Sequence, residues 1–235
     1  MRLVLSSAAA PGATAAELAD ACRRRGLRGI EQTLSPGGVG ESDNTAFRFA
    51  LAAEGIELSG IVRPRLDRSE IVAAAAEGGG TGAPIIVPAS GFDWALLPEV
   101  IEVFTRAGTH LLLAHRSHPE LVMELTRLLH EFDAAPVVGL AWEFRPSTDN
   151  PEMVTQVLDI GGEQIRYIRM YGGGPEAHAQ SGMGIGSVMG RLTLARFDGP
   201  IVLIPSEPQF HYVWSAWLGR AGGWGGVGWG GGWGL

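Results

Sequence analysis

The sequence predicts a single-domain α/β protein built as a closed (β/α)8 barrel, and three observations carry that prediction. Short runs rich in Val, Ile and Leu alternate with longer stretches of helical period along the 235 residues. The alternation returns at a spacing of roughly 25 to 30 residues, the length of a βα unit. The apolar runs number eight and are nearly continuous, as strands buried on both faces must be. A doubly wound open sheet satisfies the same pattern and is the alternative, because a linear pattern does not record closure.

The strands, in order, are LVLSS from Leu3, GIEQTL from Gly29, LSGIVRP from Leu58, PIIVPAS from Pro84, HLLLAHR from His110, VVGLAWEF from Val137, IRYIRMY from Ile165 and PIVLIPSE from Pro200. The first helix opens on a capping box, Thr14 with Glu17, and stops at Gly26. Segments beginning at Asp67, Asp93, His118 and Asn150 repeat a polar start, an apolar face and a glycine or polar stop. An eighth helix, PQFHYVWSAWL, is expected to finish near Leu218. The barrel domain is therefore placed at 1–218, with 219–235 as a flexible Gly/Trp-rich tail. That tail holds ten glycines in 17 residues, and glycine costs a helix about 1 kcal/mol per residue relative to Ala.

Composition excludes whole classes of chemistry. All 18 basic residues are Arg, so neither a Schiff-base lysine nor a P-loop lysine exists. The lone Cys22 excludes an intrachain disulfide and a Cys-rich metal site. A net charge of −7 argues against nucleic acid as a partner. No run approaches the roughly 18 apolar residues of a membrane span, and the start is too short for a signal peptide. A cytoplasmic location and no membrane partner are expected.

Ligands of parallel barrels meet the carboxyl ends of the strands. Those ends carry Ser6, Glu31, Arg63, His115, Arg116, Glu143, Arg145, Arg169, Tyr171 and Glu207. Arginines arriving from several strands predict a small anionic ligand, since guanidinium forks bind carboxylate or phosphate in a bidentate manner. The loop after the seventh strand, GGGPEAHAQSGMGIGS, leads into a helix, and the amides of Gly182, Gly184 and Gly186 are candidates to hold a phosphate there.

The segments GLRGIEQTL, VVGLAWEF, IRYIRMY and GMGIGSVMGRLTLARFDGPIVLIPSEP resemble the xylose isomerase-like barrel family, which includes sugar phosphate isomerases and epimerases and metal-dependent endonucleases. The resemblance implies a divalent metal held by acidic residues ending strands five, six and eight and a His on strand seven. Those positions fall here on Ala114, Glu143, Arg169, and Pro205 or Ser206, so Glu143 alone keeps a ligand. Catalytic metal sites need about three protein ligands, and no cofactor is therefore expected. A rebuilt metal site would have to draw on His115, Glu143, His178 and Glu207.

The favoured reading is an isomerase or epimerase that acts on a sugar-like phosphorylated or carboxylated ligand by metal-independent proton transfer. Glu143 is the base, Glu31 or Glu207 the partner acid, and Arg169 with Arg116 stabilises the enediolate. The alternative is a non-catalytic barrel that binds an anion or a partner protein. The tail could then be a peptide presented to a partner or a modifying enzyme, its tryptophans also giving a surface for a homo-oligomer.

Overall fold

Eight parallel strands follow one another around the barrel in sequence order, and the first pairs with the last. They are β1 (Arg2–Ser6), β2 (Gly29–Thr33), β3 (Glu57–Val62), β4 (Ile85–Pro88), β5 (Leu111–Arg116), β6 (Val138–Phe144), β7 (Ile165–Gly172) and β8 (Pro200–Pro205). Closure rests on the β1–β8 ladder, where Arg2, Leu3, Val4 and Leu5 face Pro200, Ile201, Val202 and Leu203. That ladder sets the open-sheet alternative aside. The computed structural model describes residues 2–10, 12–24, 26–34, 41–116, 118–145, 151–172 and 185–205.

The described helices are α1 (Ala15–Arg23), α2 (Glu41–Ala53), α3 (Ile71–Thr81), α4 (Leu97–Ala107), α5 (Pro119–Glu131), α6 (Pro151–Gly161) and α7 (Ile185–Leu194). The capping box forms as the sequence predicts: the Glu17 amide donates to Thr14 Oγ1 at 3.3 Å, and the Thr14 amide donates to Glu17 Oε2 at 2.8 Å. Gly82 and Gly108 close α3 and α4 with φ of +70° and +66°, a backbone that favours glycine. The sequence reading named no helix at α2. Its apolar residues do not mark one face, because Leu51 is buried while Phe49 is exposed. The helix expected at 208–218 and the tail at 219–235 lie outside the described residues.

Strand alternation sorts the core into two layers. Leu5, Ile30, Ile61, Ile85, Leu113, Leu140, Ile168 and Ile201 face the helices and join the larger cluster. Val4, Val62, Ile86, Leu112, Ala114, Ala141, Tyr167, Val202 and Ile204 face inward and fill the lumen. Fully burying a Val, Leu or Ile contributes about 1.5–3 kcal/mol, so the outer layer supplies most of the driving force.

Two irregularities aim the functional side chains. Between Ile30 and Glu31 the pairing to β3 skips Ser59, and between Leu140 and Ala141 the pairing to β7 skips Arg166. An extra residue reverses which face the following side chains take. Ile165 therefore packs among the helices, whereas Tyr167, Arg169 and Tyr171 turn into the barrel. Among the described residues, no helix is long and apolar enough to cross a membrane.

Candidate active site at the carboxyl ends of the strands

Arg169 rises from β7 across the mouth of the barrel and joins carboxylates from two other strands. Its Nε donates to Glu31 Oε2 at 3.0 Å and its Nη2 to Glu31 Oε1 at 3.3 Å, while Nη1 donates to Glu143 Oε1. Ser6 Oγ, one strand away from Glu31, adds a hydrogen bond to Glu31 Oε1 at 2.9 Å. Tyr171 donates its hydroxyl to Glu143 Oε1 at 2.9 Å. The Arg169 and Arg145 guanidinium carbons lie 5.5 Å and 5.1 Å from the centre of the Tyr171 ring, within cation–π range.

The two carboxylates are not equivalent. Glu31 has no exposed surface, and both its oxygens already accept from Arg169 or Ser6. Glu143 retains 21% of its side-chain surface, and both of its hydrogen bonds arrive at Oε1. No described residue donates to Oε2. This makes Glu143 the carboxylate with an oxygen open to the mouth, and Glu31 the anchor of the guanidinium.

Burial alone would lower the Arg169 pKa, but the charges of Glu31 and Glu143 and the hydrogen bonds to Glu31 more than compensate, and the group is held above its ordinary value. Its positive charge is fixed at every working pH. Burial pushes the Tyr171 hydroxyl upward, opposed by Arg169 and reinforced by Glu143, so it stays a neutral donor. Below this layer Tyr167 is fully buried, and burial, with the charge of Glu31, raises it well above the ordinary phenol range. Its hydroxyl has no hydrogen-bond partner among the described residues.

The remaining sequence candidates divide by the face they take. Arg116 pairs in register with Glu143 and, like Arg145, is exposed at the rim. Arg63 is a correction: it follows the inward-facing Val62, so it turns outward and donates to Glu77 of α3 at 2.7 Å and 3.2 Å. His115 is a second correction. It alternates with Ala114, which faces the lumen, and pairs in register with Trp142 on the helix-facing side of the sheet. There burial holds its pKa down to about 4. The expected role of Glu31 as partner acid also meets a physical obstacle, since its oxygens are fully engaged. Gly186 lies in the first turn of α7, whereas Gly182, Gly184, His178, Ser206 and Glu207 lie outside the described residues.

Sequence reasoning passed over Tyr167. The period of two in Tyr167, Arg169 and Tyr171 carried the signal, because it puts all three on one face.

The resemblance implies a divalent metal, and the described residues do not fit one. A cation between Glu31 and Glu143 would stand against the fixed charge of Arg169. Ala114 offers no donor, and His115 points away. Among the described residues no three His, Cys, Asp or Glu side chains come together in a way that could hold a metal ion.

Fold and site together define a parallel (β/α)8 barrel with a guanidinium–carboxylate cluster at the carboxyl ends of its strands. Solved structures of xylose isomerase-like barrels share this fold. The chain is similar to the 3-keto-D-glucoside 4-epimerase of E. coli in its apo form, with a TM-score of 0.69 and 16% identity over 94% of this chain and 99% of that one. An uncharacterised protein of Parabacteroides distasonis matches with a TM-score of 0.71 and 15% identity over 94% and 98% of the two chains. D-Psicose 3-epimerase of Clostridium cellulolyticum, solved with D-tagatose, gives 0.61 and 12% over 94% and 95%. No protein-family model matches the chain, and no curated protein does.

Proposed function

We propose that the barrel is an isomerase or epimerase of sugar-like carbonyl compounds that moves a proton without a metal, with Glu143 as the base and Arg169 as the fixed cation. The observation that carries this reading is the asymmetry of the two carboxylates around Arg169: Glu31 is closed, and Glu143 has Oε2 open. The sugar epimerases among the structures of the same fold support the reaction class.

In this reading Glu143 Oε2 takes the proton from a carbon next to the substrate carbonyl. The C–H bond breaks, an O–H bond forms on Glu143, and the electron pair moves onto the carbonyl oxygen as an enediolate. A guanidinium has five N–H groups, and three are given to Glu31 and Glu143. The other two are available to the developing oxyanion, which is where preorganised donors contribute most. Return of the proton to the neighbouring carbon, with the hydroxyl proton passing from one oxygen of the enediolate to the other, isomerises the substrate, whereas epimerisation needs a proton delivered by solvent to the opposite face while Glu143 gives up its own. Tyr171 and Arg169 position Glu143. Arg116 and Arg145 at the rim would attract a phosphorylated or carboxylated ligand.

The test is solvent deuterium exchange, read by NMR, into ketoses and 2-oxo acids. Glu143→Gln should lower exchange by about 10²-fold or more, the typical contribution of a positioned base, while ligand binding persists. Unchanged exchange in the variant would refute the assignment. A second reading, a non-catalytic barrel, is favoured by the same cluster because Arg169 and Glu143 already satisfy each other. Binding without exchange in the wild type would select it.

A further inference from the structure

Two neighbouring helices on the outer wall of the barrel depart from the pattern of the others. A surface helix normally turns its charged side chains to solvent. Glu17 and Arg24 do so on α1, Glu102 and Arg106 on α4, and Glu124 and Arg127 on α5. In α2 from Thr45 onward the one charged residue is Arg48, and in α3 it is Glu77. Both turn inward, where they bond each other as well as Gln32 of β2 and Arg63 at the end of β3. What α2 and α3 present to solvent is apolar: Phe49 is 73% and Val72 65% exposed, and Ala46, Ala53, Ala73 and Ala76 are exposed around them. An apolar face that spans two helices marks an interaction surface rather than scattered exposure.

The shape of this face fits a second copy of itself. The Arg48–Glu77 bond sets the two helices level, so Phe49 and Ala76, each adjacent to one partner of that bond, stand at the same height. Beside the projecting ring, α3 exposes Ala73, Ala76 and Gly80, and a Cβ built on Gly80 meets nothing within 4 Å. A two-fold axis parallel to the helices would lay α2 of each copy on α3 of the other and keep equal heights together. Each copy's Phe49 then falls on Ala76 of the other, which is the self-complementarity an isologous contact requires.

Charge selects the same occupant. Copies of a chain of net charge −7 repel each other, and that repulsion is least opposed to contact where the touching surfaces carry no charge. The two edges of the face are neutral pairs: Arg23 with Glu54 on the α1 side, and Arg68 with Glu99 on the α4 side at 2.9 Å. The same axis brings one edge against the other, so each arginine of one copy has a carboxylate of the other to meet. An anionic lipid surface is drawn instead by basic residues without counter-ions, and these arginines already have theirs.

We infer that the α2–α3 face joins two copies of this chain as an isologous dimer, with Phe49 as its central contact. Sedimentation velocity on the full chain over a dilution series should show a dimer that dissociates on dilution. Phe49→Glu sets like charges against an apolar centre and should weaken the dimer by about 100-fold or more, with an unchanged far-UV circular dichroism spectrum. Ala76→Arg should act in the same direction by filling the shallow stretch. Phe132→Glu, at an exposed ring beyond the end of α5, should leave the dimer intact. A monomer at every concentration overturns the inference, and so does a dimer that withstands both Phe49→Glu and Ala76→Arg. If such a dimer is lost on removal of residues 219–235, the contact belongs to that segment instead. A monomer that floats with vesicles of neutral phospholipid, and stops doing so in Phe49→Glu, makes the face a lipid contact and overturns the inference as well.

Discussion

Single side chains decide what the lumen can hold. Tyr167 fills it from β7 and reaches Gly60 on β3, where a Cβ would lie 2.7 Å from the phenol oxygen and 2.9 Å from Ile86 Cδ1. Gly60→Ala should therefore cost about 1–3 kcal/mol by overpacking, read as a lower urea midpoint with unchanged slope. A loss below about 0.5 kcal/mol, the ordinary range of a surface substitution, would show that the ring can move aside. His115 makes a second prediction. Its imidazole is buried with neither nitrogen bonded to a described residue, and its pKa falls from 6.5 to about 4. The unfolded chain takes up the proton first, so the stability due to the neutral ring is complete above about pH 6.5 and is lost as the pH falls towards 4. The interval corresponds to roughly 3 kcal/mol. Unfolding measured between pH 7 and 4.5 should show a smaller acid loss for His115→Gln than for the wild type. Parallel curves would place the titration elsewhere.

At the scale of the elements, the outer face of the barrel is tied to its helices by one shared carboxylate. Glu77 of α3 accepts from Arg63 at the end of β3 and from Arg48 of α2, and Arg48 also donates to Gln32 of β2 at 2.9 Å. All three charged side chains are mostly buried, between 12% and 17% exposed. Glu77→Gln leaves two desolvated guanidiniums without their counter-ion. The expected loss is about 2–4 kcal/mol, between the values for exposed and fully buried pairs. Chemical denaturation checks it, and a change within error would mean that water already screens the network. The bulges work at this same scale. Ser59 and Arg166 are extra residues in their ladders, and they set Glu31 opposite Gly60 and Glu143 opposite Arg169. Without the bulge at Arg166 the alternation would direct Arg169 at the helices.

Over the whole molecule, the sequence made the architecture legible because every strand is buried on both faces and reads as an apolar run. Glu31, Glu143, Arg169 and Tyr171 were legible as strand ends for the same reason. What it hid were orientations: Arg63 and His115 sit at strand ends too, and only the phase of alternation, fixed by packing, sends them to the helix side. The unequal bonding of Glu31 and Glu143 was hidden as well, since it depends on a side chain from a distant strand. Closure bears on the last prediction. β8 ends at Pro205 and pairs with both β7 and β1, so the ring of backbone hydrogen bonds is complete without any residue after 205. Among the described residues, the cluster at the mouth likewise draws on β1, β2, β6 and β7. Removing residues 219–235 should then leave the urea midpoint within about 0.5 kcal/mol of the full chain, the range of changes that touch no packed group. Deuterium exchange into a bound ketose should persist at the same rate. A large loss of stability would mean that the tryptophan-bearing segment packs on the barrel, and a loss of exchange with stability intact would make that segment part of the site.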